Sequence, residues 1–359
     1  PLPLDQPLVN ETRARLVALP LPQRVYNRLR QQGVGANAPE FVIAKAGGPA
    51  ASLVFVRRSG EPLGMGVAGL FTRTGHQEVS ARLDAVAREL AEEQGWVLGV
   101  ATPAASAADV RQIADNARRL YLNEYANTWD AFIADVRLRP AQGLPDMVQL
   151  TRVLSGPDNP LGTLLKAVVR ETTLVEVDEP GSRKAALTDK VREVTQAVKE
   201  GIASVAGDQA VPAALQGQPP LEKTLVDDRF ALLRRYVQAP PGGGKAPMDE
   251  SIALLGEAQL YMAAVDLALR GGGQPPPSDV PLRLRNEGGR SAAPAAGLLN
   301  DLASRSANIT GLLQRDQLSR EVRSAVGDFC SQAVAGRYPL NPRASADVRP
   351  ADFGELFGP

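Results

Sequence analysis

One stretch constrains the fold more than any other. Between about residues 106 and 138, apolar side chains recur at spacings of three and four: Val110, Ile113, Ala117, Leu120, Tyr121, Tyr125, Trp129, Phe132, Ile133 and Val136. That period predicts one long helix with a wide apolar stripe, buried along one side. Ser106 followed by Asp109 reads as a capping-box variant at its start. Pro140 ends the run, because a proline ring clashes with the preceding turn of a helix.

The rest of the chain supplies mostly helices to lay against it. Residues 8–32 carry Leu8, Leu16, Leu19, Val25, Tyr26 and Leu29 on one side, with Pro20 and Pro22 expected to break or restart the helix. Phe41–Ile43 and Leu53–Val56 read as two short strands joined by Gly47-Gly48-Pro49 in a loose hairpin. Residues 76–94 return to helical period, and Trp96–Leu98 reads as a third short strand. Further helices fit 144–154, 160–171, 183–205, 249–270, 294–315 and 317–335. In the segment 183–205, Leu187, Val191, Val194, Val198, Ile202 and Val205 form nearly a heptad seam, for packing within the fold or against a partner chain. Pro240–Gly244 and Gly271–Pro277 are breakers, read as surface loops or hinges, and 336–359 reads as irregular. The expected organisation is a small α+β domain over 1–105, a helical domain over 106–239, a second helical domain over 240–335, and a junction over 336–359. The fold class is mainly α with a small α+β N-terminal part, as an elongated multi-domain helical scaffold.

Composition narrows function chiefly by exclusion. Forty basic residues balance forty acidic ones, so no basic face favours nucleic acid or an anionic membrane. Aromatic residues are 4%, which points to a core of Leu, Val and Ala. No apolar run is read as reaching the ~18–20 residues of a membrane helix. The start, Pro1-Leu2-Pro3-Leu4-Asp5, has no signal-peptide pattern and no initiator Met, so the chain reads as a piece of a longer protein.

The chemistry-bearing residues are few. One histidine, His76, and one cysteine, Cys330, cannot build a His- or Cys-rich zinc site. Cys330 falls in a helical stripe with Val322, Val326, Phe329 and Val334, which predicts a buried, inert thiol, and His76 sits where a helix starts. Gly242-Gly243-Gly244-Lys245 is followed by Ala246 where a phosphate loop needs Ser or Thr. Gly64-Met65-Gly66-Val67-Ala68-Gly69 matches a dinucleotide fingerprint by letters, but Phe71-Thr72 follows it directly and a turn-rich loop is expected. Acidic pairs such as Glu92-Glu93 and Asp227-Asp228 read as solvated faces. No catalytic, cofactor-binding or metal-binding residue is expected, and no enzyme.

Three elements, in order, carry a resemblance. The first is Val67-Ala68-Gly69-Leu70-Phe71-Thr72-Arg73-Thr74-Gly75, followed by His76. The second is Tyr121, Tyr125, Trp129, Phe132 and Asp135, then Leu154 to Asn159-Pro160-Leu161. The third is Gly336-Arg337-Tyr338-Pro339-Leu340, Val348, Asp352-Phe353-Gly354 and Leu356-Phe357-Gly358-Pro359. Together they resemble the TssM/IcmF family, the large inner-membrane component of type VI secretion systems. His76 replaces an aromatic residue of the family pattern, and Asn159 replaces a serine. The resemblance marks Gly69, Phe71, Thr72, Tyr121, Tyr125, Trp129, Pro160, Leu161, Arg337, Tyr338, Pro339, Asp352, Phe353 and Phe357 as family-motif positions. It implies a periplasmic scaffold in a membrane complex and self-association in a ring. It also implies TssJ, an outer-membrane lipoprotein, and TssL, an inner-membrane protein, as partners. No cofactor is implied, and a β-rich domain is expected beyond Pro359. Competing readings are a cell-wall hydrolase, which would need a carboxylate or Cys/His cluster in a cleft, and an unrelated helical adaptor.

Overall fold

The computed structural model describes residues 6–8, 11–12, 19–98, 106–175, 219–240, 242–271 and 273–357. In chain order, the helices are α1 (Leu21–Gln31), α2 (Ile43–Ala46), α3 (Ala51–Val54), α4 (Arg73–Leu98), α5 (Ala107–Asp135), α6 (Leu144–Leu154), α7 (Pro160–Glu171), α8 (Ala231–Val237), α9 (Pro247–Arg270), α10 (Val280–Arg290), α11 (Ala295–Val322), α12 (Phe329–Ala333) and α13 (Pro350–Phe357). Two short strands, β1 (Phe55–Arg57) and β2 (Val136–Leu138), form a single two-stranded sheet among the described residues. The protein is therefore mainly α with a small α+β part.

The chain divides into two compact units that interleave along the sequence. One comprises Pro1–Ser52, Val56–Val136 and Leu161–Ala246; the other comprises Leu53–Phe55, Arg137–Pro160 and Pro247–Pro359. The contiguous blocks drawn from the sequence do not share these boundaries, since contiguous reading is blind to a chain that leaves a unit and returns.

In the first unit, α5 is the central element, with α1 and α4 laid against it and against each other. Its start is a capping box. The Ser106 hydroxyl accepts from the Asp109 amide at 3.2 Å, and the Asp109 carboxylate accepts from the Ser106 amide at 3.0 Å. The Ser106 hydroxyl donates to the same carboxylate, and these two bonds hold the Asp109 carboxyl below its usual range. Ser106→Ala should raise the Asp109 pKa toward the ordinary aspartate value, read by carbon-detected NMR titration. The buried face runs through Ala114, Ala117, Tyr121, Leu122, Tyr125, Ala126, Trp129, Phe132 and Ile133. Leu120, assigned to the stripe from the sequence, is 36% exposed, and Leu122 is buried instead. At about 100° per residue, Leu122 shares the row of Tyr125 and Trp129.

Several sequence expectations fail for identifiable reasons. The hairpin does not form. Phe41 makes an isolated antiparallel bridge to Val67, and the intervening residues wind into the short helices α2 and α3. β1 pairs instead with β2, far along the chain: the Arg58 amide donates to Asp135 O at 2.8 Å and the Arg139 amide to Val54 O at 2.7 Å, an antiparallel register. That pairing takes Val136–Leu138 out of the long helix, which stops at Asp135 rather than 138. Trp96–Leu98 is the last turn of α4, not a strand. A three-residue apolar run has no period by which to tell the two apart.

In the second unit, α9 lies against α6 and α10, and α10 against α11. The α9–α10 contact is pinned by a buried polar pair. The Ser251 hydroxyl donates to Glu287 at 2.6 Å, and the Arg290 guanidinium reaches the other carboxylate oxygen at 2.6 Å. α6 and α7 occupy the predicted spans 144–154 and 160–171. The helix expected over 183–205 lies outside the described residues. α11 runs without a break near 316, through a π turn at Arg323–Asp328, into α12. Residues 336–359 are not wholly irregular, since α13 lies among them, and α8 and α10 had no counterpart in the sequence reading. α9 also corrects the reading of apolar run lengths: its best 18-residue window has a mean hydropathy of 1.5, long and apolar enough, by length and composition, to cross a membrane. Its charges are few and spread, which hides the segment from a search for unbroken apolar runs.

Candidate functional site

The first motif element and the aromatic part of the second meet in the first unit, where the aromatic row of α5 faces the loop and turn that precede α4. The meeting depends on glycine. A Cβ at Gly69 would lie 2.1 Å from the Ala38 carbonyl oxygen and 2.8 Å from that of Gly35. One at Gly75 would lie 2.1 Å from the Gly69 oxygen, and one at Gly66 would lie 2.0 Å from the Phe41 oxygen. Three backbone segments thus approach as closely as peptide groups can, and only hydrogen fits between them.

Each polar tip of the row then takes one backbone carbonyl. The Tyr121 hydroxyl donates to Leu70 O at 2.9 Å. The Trp129 indole N–H donates to Phe71 O at 2.8 Å, and the Tyr125 hydroxyl donates to Glu171 O at the end of α7, at 2.7 Å. All three side chains are fully buried. Burial raises the pKa of both the Tyr121 and the Tyr125 hydroxyls, so both stay protonated donors. Phe71 stacks on Tyr121 with centroids 6.1 Å apart and meets Tyr125 edge-on at 6.4 Å, while Phe41 meets Trp129 edge-on at 4.8 Å. The Thr72 hydroxyl donates to Gly69 O at 2.8 Å and accepts from the Gly75 amide at 3.3 Å, closing the turn on itself. The Glu171 carboxylate accepts from the Arg73 amide at 2.8 Å, at the positive end of α4.

The remaining motif positions are placed separately. Pro160 opens α7 and Leu161 is buried; Asn159, also buried, donates to Leu154 O across the turn from α6. In the second unit, Tyr338 makes an isolated parallel bridge with Asp347, its amide donating to Ala346 O at 2.9 Å and its carbonyl accepting from Val348 at 3.0 Å. The peptide bond between Tyr338 and Pro339 is cis. Arg337 accepts at its carbonyl from the Asn341 amide, and Asp352 accepts from Arg349 at 2.9 Å. Phe353 and Phe357 lie on α13, and Phe353 is 41% exposed. A small cluster of Ala333, Val334 and Val348 packs beside these, with Phe329 and Cys330 against it. Cys330 is accordingly half-buried, but Val322 and Val326 are exposed, which corrects the single buried stripe expected there.

One polar cluster was not legible. His76 stacks on Tyr121 at 6.0 Å, lies 3.3 Å from the Ser80 hydroxyl and 3.6 Å from the Glu222 carboxylate; Arg118 approaches the same carboxylate at 3.8 Å. Contact with His76, then the Glu222 amide and the Arg118 guanidinium, hold the Glu222 carboxyl below its usual range against the opposing cost of burial. A depressed carboxylate stabilises the fold above its ordinary pKa, and that contribution disappears as pH falls through the folded value. Glu222→Gln should therefore be less stable than the parent at neutral pH, with the gap closing below about pH 4.5. Urea denaturation across pH 3–7 reads this. Nearby, buried Asp227 accepts from the Leu174 and Val175 amides at 2.8 and 3.2 Å. Glu222 and Asp227 lie where the sequence shows no apolar period to mark them, and the burial of Asp227 corrects the solvated face expected of Asp227-Asp228.

Among the described residues, no group of three or more His, Cys, Asp or Glu side chains is placed to hold a metal ion. The cleft lined by Arg57, Ser59, Thr128, Phe132 and Asp135 holds a closed network: Arg57 meets Asp135 at 2.6 Å and Glu61 at 2.5 Å, and Asp135 also accepts from the Ser59 amide and hydroxyl. The chemistry of the motif region is thus inward-facing, a device that fastens loops to a helix.

The pattern of the family described as "IcmF-related: Intracellular multiplication and human macrophage-killing" matches residues 1–173. The chain is 33% identical over 363 aligned positions to the "Type VI secretion system component TssM1" of Pseudomonas aeruginosa, covering 99% of this chain and 32% of that protein. It therefore spans about a third of the length of that relative. A solved "Type VI secretion system membrane core complex" contains a chain with the same fold, at a TM-score of 0.56 and 15% identity, over 91% of this chain and 57% of that one.

Proposed function

Because this chain belongs to the TssM/IcmF family, we propose that it is a structural scaffold segment of a type VI secretion membrane complex. In this reading it spans the periplasm between inner-membrane and outer-membrane partners. The observation that carries it is where the motif residues point. Tyr121, Tyr125 and Trp129 are wholly buried and spend their donors on backbone carbonyls, so the most distinctive residues of the chain shape it rather than contact a substrate. The role is therefore mechanical and not enzymatic. Helices supply length at about 1.5 Å per residue, and packed helices supply stiffness.

The partners in this reading are TssL on the inner-membrane side, TssJ on the outer-membrane side and further copies of the chain. No nucleic acid and no cofactor take part. The test is co-purification. The full-length protein carrying an affinity tag, expressed with both partners, should bring both down from detergent-solubilised envelopes as one species. Recovery of neither overturns the assignment, as does release of soluble muropeptides from purified cell wall by this chain.

A further inference from the structure

We propose that α9 pairs antiparallel with the α9 of a second copy of this chain, through a stripe it leaves open to solvent. One face of α9 is in the core of its unit, with Leu254, Leu255, Ala258, Met262 and Val265 buried. The opposite face is apolar too, yet Leu260 is 67% and Leu267 is 74% exposed. Ala253, Leu260 and Leu267 recur every seven residues, the spacing that keeps one seam facing a partner helix. Ala264, also exposed, and Gly256, around whose Cβ position nothing lies within 4 Å, complete it. Only 28% of the most apolar window of this helix is buried. Leu260 and Leu267 thus stand exposed on one line of α9, about two turns apart.

The second copy is chosen by self-complementarity in size and charge. Place a two-fold axis at Leu260. Leu267 then lies level with Ala253 of the other copy and Ala264 with Gly256, while Leu260 meets its own copy on the axis, so the outer leucines face small groups and the two central ones pack together. The same axis brings Glu250, in the acidic first turn, level with Arg270, the basic residue of the last turn, which is exposed and also meets Asp266 of its own helix at 2.8 Å. A parallel pair would instead set Leu267 on Leu267, acid on acid and Arg270 on Arg270. The contact is isologous, so it closes at two copies and leaves all other surfaces free for assembly. This deepens the self-association in the proposed scaffold role and rests on that reading only for its setting.

The experiment is disulfide trapping of the whole chain in a Cys330→Ala background at ~100 μM, a concentration at which a micromolar contact is filled. Leu260→Cys should give a covalent dimer on mild oxidation. Leu267→Cys should give little alone, but a mixture of Ala253→Cys and Leu267→Cys chains should cross-link. In sedimentation equilibrium, Leu260→Asp should weaken the dimer at least tenfold with unchanged circular dichroism, since the side chain is exposed. Absence of cross-linking at position 260, or efficient self-cross-linking at 267, overturns the proposal. So does a Leu260→Asp chain that loses flotation with phosphatidylglycerol vesicles while its solution mass stays that of the parent, which would assign the face to lipid. Each of these outcomes leaves the co-purification test of the scaffold role unaffected, so failure of one is distinguishable from failure of the other.

Discussion

Trp129→Ala should destabilise the first unit by about 3–5 kcal/mol, the usual cost of emptying a large aromatic from a packed core. Two losses combine. The indole is fully buried and contacts Phe41, Tyr125 and Phe132, with ring centroids 4.8–6.5 Å apart. Its N–H is the partner of the Phe71 carbonyl, which the replacement leaves without that donor in an apolar site. Trp129→Phe separates the terms. It keeps a ring in place and removes the donor, so it should cost about 1–3 kcal/mol. Urea denaturation followed by circular dichroism measures both, with the earlier transition assigned to the first unit. Equal losses for the two variants would contradict this account of the indole N–H.

Gly69→Ala is the second large effect, and it runs through the backbone rather than through volume. The added methyl would stand 2.1 Å from one carbonyl oxygen and 2.8 Å from another, so the turn must move away from the Ala38 segment. The expected loss is about 1–3 kcal/mol or more, because overpacking at backbone cannot be relieved by a rotamer change. Gly64→Ala is the internal control. It lies five residues earlier in the same glycine-rich run, with nothing within 4 Å of its Cβ position. Its effect should be within about 0.5 kcal/mol, the range of exposed substitutions. Thermal melts of the pair decide the matter, and similar midpoints for both would refute the close-approach explanation.

How much of this could be read from the chain depended on period and on distance. α5, α6 and α7 were legible because their apolar spacing spans enough turns for a 3.6-residue period to show, with Pro140 ending the first of them. β1 and β2 were not, because three residues carry no period and the partner lies some eighty residues away. Their pairing is decided by tertiary packing, not by local preference. α9 was legible as a helix but not as a two-sided apolar one, because Asp249, Glu250, Glu257, Asp266 and Arg270 break up the run.

The motif region was legible in a different sense. Resemblance marked Gly69, Phe71, Thr72, Tyr121, Tyr125 and Trp129 as belonging together without saying why. The structure supplies the reason for these six: a turn too tight for a side chain, a hydroxyl that closes it, a stacked ring, two donors aimed at the turn's carbonyls and a third at Glu171 O. Gly66 follows the same rule as Gly69 but had no motif weight, and Asn159 satisfies Leu154 O where a shorter hydroxyl was expected. The His76–Glu222–Arg118 cluster had no signal, since its members come from three segments of unrelated pattern.

The three aromatic donors all end on main-chain oxygens, and that has a consequence for how the chain can drift. Every residue carries such an oxygen, so the identities of Leu70 and Glu171 are not fixed by the bonds they receive. The donor side has no such latitude, because phenylalanine in place of tyrosine removes the O–H outright. Mutational scanning of this region should therefore be lopsided, with α5 intolerant at its aromatic row and the receiving positions Leu70 and Glu171 more permissive than the glycines, Phe71 and Thr72 beside them. Surface loops around this fastening can change their chemistry freely while the frame they hang from stays the same.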